Sequence, residues 1–350
     1  MNDRAKTFSW ERLYPAIVLA IVFIISWQFS PLDRKTNEAI FTTPENLLKI
    51  LRQVSEIGLL AIGQTLVILA GGIDLSVGSV LGASSMAAGV LLVDYNCSAP
   101  AAAAGALATG LAFGMVNGLL VVVLRLQPFI ATLATFGAAR GAARIIKDNA
   151  SIGLDESHSG FLMIGRSFRD ANITFRGGEV DAGASTSFLD FATIPALLFL
   201  STGVLFAFIL ARTRFGRSIF AIGGNREAAR LAGLPVGRNL IFVYAICGLL
   251  AGLAGIVHCA QLEQSNPVDG EGYELRAIAA VAIGGTLLTG GKGGVFATIA
   301  GVLTLGAISS ILGITNVRAE TQLILIAMIL VLAVKMPAWI QRLTEFRSSK

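Results

Sequence analysis

Residues 240–261, LIFVYAICGLLAGLAGIVHCAQ, contain no Asp, Glu, Lys or Arg. They are long enough to cross a membrane as one helix, because about 20 apolar residues span the roughly 30 Å hydrocarbon core. The whole chain has the same character: 54% of its 350 residues are hydrophobic and 14% are charged, whereas ordinary globular proteins carry about 25% charged residues. A soluble α/β protein would have apolar runs of about 4–8 residues, and a membrane β-barrel would alternate with period two. The sequence therefore predicts an all-α, polytopic membrane protein.

Apolar runs on both sides of this stretch predict about ten transmembrane helices in a single domain, residues 1–350. The predicted spans are Tyr14–Phe29, Val54–Ala70, Ser76–Val93, Ala99–Leu124, Phe129–Ile146, Phe191–Ala211, Leu240–Gln261, Tyr273–Leu288, Val295–Leu312 and Thr321–Val334. A short interfacial helix is expected before the second span, with Thr43 as its N-cap and Pro44 in its first position. Re-entrant segments are the alternative for the shorter spans.

Basic residues lie beside the spans, which is the positive-inside pattern of membrane proteins and not a nucleic-acid-binding stripe. Those at the two ends of the chain are Arg4, Lys6, Arg12, Lys335, Arg342, Arg347 and Lys350. Their positions predict that both termini are cytoplasmic. The net-acidic loop 147–190 is then outside, and the arginine-rich loop 212–238 is inside.

The inside loop reads RTRFGRSIFAIGGNREAARLAGLPVGR, and its middle has the start and stop signals of a short helix. Asn225 is a good N-cap, Glu227 lies in the first turn and Arg230 in the last, and Gly233 suits a left-handed C-cap. This pattern predicts a rigid cytoplasmic helix on which another protein acts. The chain carries no phosphate-binding loop of the GxxxxGK[ST] type, so another chain or the solute gradient must drive it.

Six residues are candidates for a translocation path, one between two spans and five within spans: Asp74, Asn117, Phe129, Thr132, Thr135 and Phe136. An ionisable group at membrane depth is a functional candidate, but Asp74 also suits a cap for a helix that begins at Leu75. Asn117 can equally bond a neighbouring helix, and hydroxyls with aromatic rings suit an ordinary helix interface as well as a sugar. Gly105, Gly110, Gly114 and Gly118 predict a ridge for close helix packing.

Arg140 and Arg144 share one helical face at spacing i, i+4. They either extend to the membrane surface or receive acidic residues of a docking protein. His158 and His258 have no ligand or nucleophile nearby in the sequence, so neither a metal site nor catalysis is predicted.

Four stretches together resemble the permease subunits of ribose-type sugar ABC importers, a resemblance that covers essentially the whole chain. They are LAIGQTLVILAGGIDLSVGSVLG at 60–82, LQPFIATLATFGAARG at 126–141, AIGGNREAARLAGLPVGR at 221–238 and AVAIGGTLLTGGKGGVFATIAGVLTLGAI at 280–308.

The resemblance implies a type II importer architecture, similar to the cobalamin and iron-siderophore permeases, in the bacterial inner membrane. It implies two permease copies or related chains, a periplasmic sugar-binding protein, and an ATPase with two fused nucleotide-binding domains. ATP would bind that ATPase, so this chain would need no cofactor. The ATPase-contacting positions of the family match Gly223, Gly224, Asn225, Glu227, Ala228 and Gly233.

The expected function is import of a monosaccharide by alternating access, without catalysis by this chain. Two alternatives stay open. One is an ABC permease for a non-sugar solute, such as a branched-chain amino acid or a nucleoside, and the other is an ATP-independent carrier.

Overall fold

The computed structural model describes residues 10–33, 37–167 and 193–318, together with 320–322, 324–325, 327–328 and 331. Its helices are α1 (Trp10–Gln28), α2 (Pro44–Leu69), α3 (Val77–Val93), α4 (Ala99–Val122), α5 (Pro128–Ile145), α6 (Ser159–Leu162), α7 (Ile194–Arg212), α8 (Arg214–Gly224), α9 (Arg226–Leu231), α10 (Val236–Leu262), α11 (Tyr273–Ile283) and α12 (Val295–Ile314). Two-residue strands β1 (Ile152–Gly153) and β2 (Gln264–Ser265) pair antiparallel. The predicted all-α class is confirmed.

Among the described residues, α2, α4, α7, α10 and α12 are long and apolar enough to cross a membrane, and Leu13–Gln28 and Val77–Val93 are shorter apolar helices. The apolar stretches of α2 and α10 are 78% and 72% buried, whereas that of α4 is 33% buried. The long helices α2 and α10 therefore form the centre of the bundle, and α4 lies at its edge. This is the architecture of a polytopic membrane protein.

The second predicted span and the interfacial helix before it are one continuous helix, so their separation was wrong. Thr43 caps α2 as predicted, since its hydroxyl accepts from Asn46 N at 3.4 Å, and Pro44 is in the first turn. No Gly or Pro lies between Pro44 and Val54 to end a helix, and α2 continues for 26 residues.

The eighth predicted span, Tyr273–Leu288, is also wrong in length. Helix α11 has 11 residues, which at 1.5 Å per residue is about 16 Å and too short to cross the hydrocarbon core. The chain leaves the helix at Gly284 and turns through Gly285, Gly290 and Gly291, which all have positive φ. A helix too short to cross the hydrocarbon core fits the re-entrant alternative.

Two predicted regions lie partly outside the described residues. For the span Thr321–Val334, the described positions between 320 and 331 are helical, and the remaining positions lie outside the description. Of the outside loop 147–190, the structure describes residues 147–167, where β1 pairs with β2 and α6 follows. Lys147 there forms an ion pair with Asp94 at the end of α3.

The predicted small-residue ridge on α4 packs against α10, backbone to backbone. A Cβ built on Gly110 would lie 2.3 Å from the carbonyl oxygen of Gly248, and one on Gly248 would lie 2.3 Å from that of Gly110. Gly114 makes a similar contact with Tyr244 O at 2.4 Å. Small residues allow such an approach where lipid offers no hydrophobic driving force for helix association. The α4–α10 contact thus depends on glycine at these positions.

We expect Gly248→Ala to lower the free energy of unfolding by about 1–3 kcal/mol, because the new methyl group must push α4 away. Gly137→Ala on α5 is the matched control, since a Cβ there meets nothing within 4 Å. That change should leave stability unchanged or raise it by about 0.5–1 kcal/mol. Thermal unfolding of the detergent-solubilised protein measures both, and equal melting temperatures for the two variants would contradict the packing argument.

Candidate functional site

Helix α9 has the capping geometry that the sequence predicts. Asn225 Oδ1 accepts a hydrogen bond from Ala228 N at 2.9 Å, and Gly233 has φ +78° after the last turn. Arg230 donates to both carboxylate oxygens of Glu227, at 2.6 and 3.2 Å. These hydrogen bonds hold the pKa of the exposed Glu227 carboxyl below its ordinary value. The helix is short, but both of its ends are fixed.

Helix α8, which precedes α9, was not predicted. Thr213 caps it by accepting from Gly216 N at 3.1 Å, and Ile219 and Ile222 are buried against the bundle. Asn225 is the one residue between α8 and α9. Leu231 at the end of α9 is 78% exposed, so the pair of helices presents an apolar side chain among arginines on its outer side. This surface is suited to contact with another protein.

The glycines Gly71, Gly223, Gly290 and Gly291 bring three segments together at what we call the glycine junction. Gly291 N donates to the carbonyl oxygen of Leu69, the last residue of α2, at 3.1 Å. A Cβ on Gly223 would lie 1.8 Å from that same oxygen, and one on Gly290 would lie 3.0 Å from Gly71 Cα. Backbone therefore packs directly on backbone between α8, the end of α2 and the turn after α11.

Asp74 and Asn117, both buried, bond to each other and to the turn between α2 and α3. Asp74 Oδ1 accepts from Ser76 N at 2.8 Å and from Ser76 Oγ at 2.6 Å. Asn117 Nδ2 donates to Ser76 Oγ at 2.8 Å and lies 3.3 Å from Asp74 Oδ2. Helix α3 begins at Val77 and not at Leu75, so Asp74 stabilises the turn before the helix. Neither residue faces an open path in this conformation.

The four candidates on α5 divide between two faces. Thr132 and Thr135 are buried and donate to backbone carbonyls, Thr132 to Ile73 O at 3.2 Å and Thr135 to Ala131 O at 3.1 Å. Phe129 is 54% exposed and Phe136 is half-buried on the other face. The structure therefore does not bring the six candidates together as one lining, and the two aromatic rings alone face outward.

Arg140 is partly buried and bonds to its own chain. Its Nη1 donates to the carbonyl oxygens of Pro267 at 2.6 Å and Asp269 at 2.8 Å, so the guanidinium is tied to the loop between β2 and α11. Arg144, one turn later, is exposed. A docking role for Arg144 stays a prediction.

A buried network that sequence reasoning missed surrounds His258. Its Nδ1 lies 2.7 Å from Glu56 Oε2, and its Nε2 lies 3.3 Å from Asp269 Oδ1. The three side chains are 6–9% exposed. Asp269 Oδ2 also accepts from Asn266 N at 2.8 Å. This histidine network joins α2, α10 and the loop before α11.

A signal for this network was present in the sequence. Glu56 and His258 both fall inside predicted spans, where an ionisable group calls for a partner. Because 202 residues separate them, the sequence does not indicate that these two residues pair.

The chain matches a transporter family over residues 46–334, and that family is described as the permease component of a branched-chain amino acid transport system. The match covers most of the chain. The protein belongs to this permease family. Its members are transport components, so the prediction that the chain is not an enzyme is confirmed, and the bundle is that of a multi-pass membrane permease. Permeases of this family belong to ABC importers and work with an ATPase and a periplasmic binding protein.

Similar permeases carry the names of sugars. The ribose import permease protein RbsC of Escherichia coli K12 is 40% identical over 84% of this chain and 86% of its own length. The D-allose transport system permease protein AlsC of the same strain is 33% identical over 95% and 93%. The L-arabinose transport system permease protein AraH is 30% identical over 93% and 90%. No solved structure matches the chain.

We expect His258→Gln to destabilise the permease by about 3–5 kcal/mol, because the buried carboxylates of Glu56 and Asp269 would lose the side chain that lies between them. Glu56→Gln removes the charge of one of these carboxylates. The double variant His258→Gln/Glu56→Gln should therefore recover part of the stability that His258→Gln loses. His158→Gln is the matched control, since His158 contacts the 77% exposed Asp155 and surface pairs contribute about 0–1 kcal/mol. Thermal unfolding in detergent compares the four variants with the parent, and similar melting temperatures for His258→Gln and His158→Gln would contradict the assignment.

Proposed function

We propose that this permease imports a monosaccharide across the bacterial inner membrane by alternating access. A periplasmic binding protein would deliver the sugar, and an ATPase with fused nucleotide-binding domains would hydrolyse ATP on a separate chain. Two permease copies, or this chain and a related one, would enclose the path. The ribose, allose and arabinose names of its relatives support a sugar over the amino acid in the family's description.

The observation that carries the mechanism is the glycine junction. Force on α9 passes through Asn225 to α8, and Gly223 of α8 lies directly against Leu69 O of α2. Leu69 in turn is bonded to Gly291, so a displacement of α8 moves both α2 and the turn after α11. No flexible side chain lies in this route, because the contacts are between backbone atoms.

The capping interactions of α9 support the proposal that this helix moves as a rigid body when the ATPase acts on it. A helix of six residues is marginal alone, but Asn225, Gly233 and the Glu227–Arg230 pair fix its two ends. The six coupling positions then have separate tasks. Asn225, Glu227, Ala228 and Gly233 shape α9, and Gly223 joins α8 to the bundle, whereas a Cβ on Gly224 would meet nothing within 4 Å.

The arginines of this region support a cytoplasmic position for it. The exposed ones are Arg212, Arg214, Arg217, Arg226, Arg230 and Arg238. Positive charge in a short loop between spans favours a cytoplasmic position of that loop. In the proposed topology both termini lie on the same side as this loop. Helix α9 is then within reach of the ATPase. The exposed Leu231 would lie in the contact between α9 and the ATPase.

Uptake into proteoliposomes tests the function. The permease, its ATPase and its binding protein are reconstituted, and labelled ribose, allose, arabinose, leucine and adenosine are offered with and without internal ATP. We expect ATP-dependent uptake of at least one of the sugars. Uptake of leucine or adenosine alone would favour the non-sugar alternative, and uptake by the permease without ATPase would favour a gradient-driven carrier.

The proposed transmission of force from α9 through α8 to α2 predicts different outcomes for two neighbouring glycines. Gly223→Ala places a methyl group 1.8 Å from Leu69 O, whereas Gly224→Ala meets nothing within 4 Å. We expect the first variant to lose most solute-stimulated ATPase activity and uptake, and the second to retain both. Both rates are measured in the same proteoliposomes at matched protein levels, and equal activity of the two variants would contradict transmission through the glycine junction.

A further inference from the structure

Two charged side chains beside α3 each keep one polar atom without a partner. They are Arg140 of α5 and Glu274 of α11. Arg140 Nη2 and Glu274 Oε2 are buried, and neither has a hydrogen-bond partner in the part of the chain that the structure describes. The large majority of buried polar atoms in proteins are hydrogen-bonded, and an unmade bond to a charged group is costly. Two such atoms near one another indicate a place where a ligand completes the bonding.

The two groups lie side by side along one face of α3. A Cβ on Gly78 would lie 2.3 Å from Glu274 Oε2, and one on Gly82 would lie 3.0 Å from Arg140 Nη1. Residues four apart on a helix are about 5–6 Å from each other. The guanidinium and the carboxylate are therefore close enough to interact electrostatically, yet their unpaired atoms do not bond one another.

Both groups are held in place by the chain itself. Arg140 Nη1 is fixed by the carbonyl oxygens of Pro267 and Asp269. Glu274 lies in the first turn of α11, and its Oε2 lies against Gly78 of α3. Groups that are fixed before the ligand arrives lose little entropy on binding.

The exposed face of α5 leads to this pair. Phe129, Leu133, Phe136 and Arg140 follow the spacing i, i+4, i+7, i+11, which is one helical face. Phe129 and Leu133 are 54% and 48% exposed, and Phe136 is half-buried. A ligand that moves along this face would first meet apolar and aromatic surface, and then one donor and one acceptor.

The two unpaired atoms, Arg140 Nη2 and Glu274 Oε2, restrict the chemical groups that the ligand must present. A guanidinium only donates hydrogen bonds and an ionised carboxylate only accepts them, so the ligand must present an acceptor and a donor near each other. A ligand carboxylate is best held by two parallel bonds from an arginine, but Nη1 is already occupied by two carbonyls. Hydroxyl groups need one contact each and can either donate or accept, and the C–H faces of a sugar suit the aromatic rings.

We propose that Arg140 and Glu274 form a hydroxyl-binding subsite for the translocated sugar, a role that rests on the proposed import of a monosaccharide. In this subsite a sugar hydroxyl donates to Glu274 Oε2 and a second one accepts from Arg140 Nη2. Phe136 contacts the apolar face of the ring. The subsite would discriminate sugars during translocation, in addition to the selection made by the binding protein.

The test measures turnover in proteoliposomes that contain the complete importer, with the binding protein kept saturated by ribose, 2-deoxyribose or 5-deoxyribose. Saturation removes the selectivity of the binding protein from the comparison. Wild-type permease should move at least one deoxy sugar about tenfold more slowly than ribose, which is the effect of one hydrogen bond to a charged group. Glu274→Gln and Arg140→Lys should each slow ribose by a similar factor, and each should leave unchanged the deoxy sugar that lacks the hydroxyl which the substituted residue binds.

Glu45→Gln is the matched control, because Glu45 is an exposed carboxylate in the first turn of α2, as Glu274 is a carboxylate in the first turn of α11, and it should preserve the preference for ribose. ATPase activity stimulated by the sugar-free binding protein reports folding and coupling, and the uptake rate of each variant is divided by it. Equal slowing of ribose and the deoxy sugars, or no slowing, overturns the subsite while ribose import by the wild type stands. Failure of the wild type to import any sugar, with its ATPase active, overturns the proposed function instead.

Discussion

Direct contact between backbone atoms organises this permease, and the carbonyl oxygen of Leu69 is its clearest case. That oxygen ends the central helix α2, accepts from Gly291 N and faces Gly223 without room for a side chain. The same principle joins α4 to α10 through Gly110 and Gly248. Within a membrane the backbone polar groups must be satisfied inside the protein, and glycine allows this at the points where helices end.

The fold class could be predicted because it follows from the length and purity of apolar runs such as residues 240–261. Local signals were equally informative at the caps of α2 and α9, where Thr43, Asn225 and Gly233 act as their residue types predict. Helix boundaries were less predictable. The polar N-terminal turns of α2 concealed its continuity, and the glycine turn after Ile283 shortened α11 below the length that its hydropathy indicates.

The candidate site could be predicted where its residues are neighbours in sequence, and not where they meet across the bundle. The capped helix α9 could be predicted because all its capping residues lie within residues 225–233. The histidine network was not, since Glu56, His258 and Asp269 come from three separate segments. Asp74 and Asn117 were correctly singled out as unusual, but the turn they stabilise became apparent only when α4 was placed beside α3.

The short helix α11 has one more consequence. Asp269 of the histidine network and Glu274 stand at its beginning, and Gly290 and Gly291 of the glycine junction follow its end. A full-length span would separate these two groups by the whole thickness of the bundle and a loop. Here about twenty residues connect them, so the histidine network and the glycine junction belong to one short, continuous piece of chain.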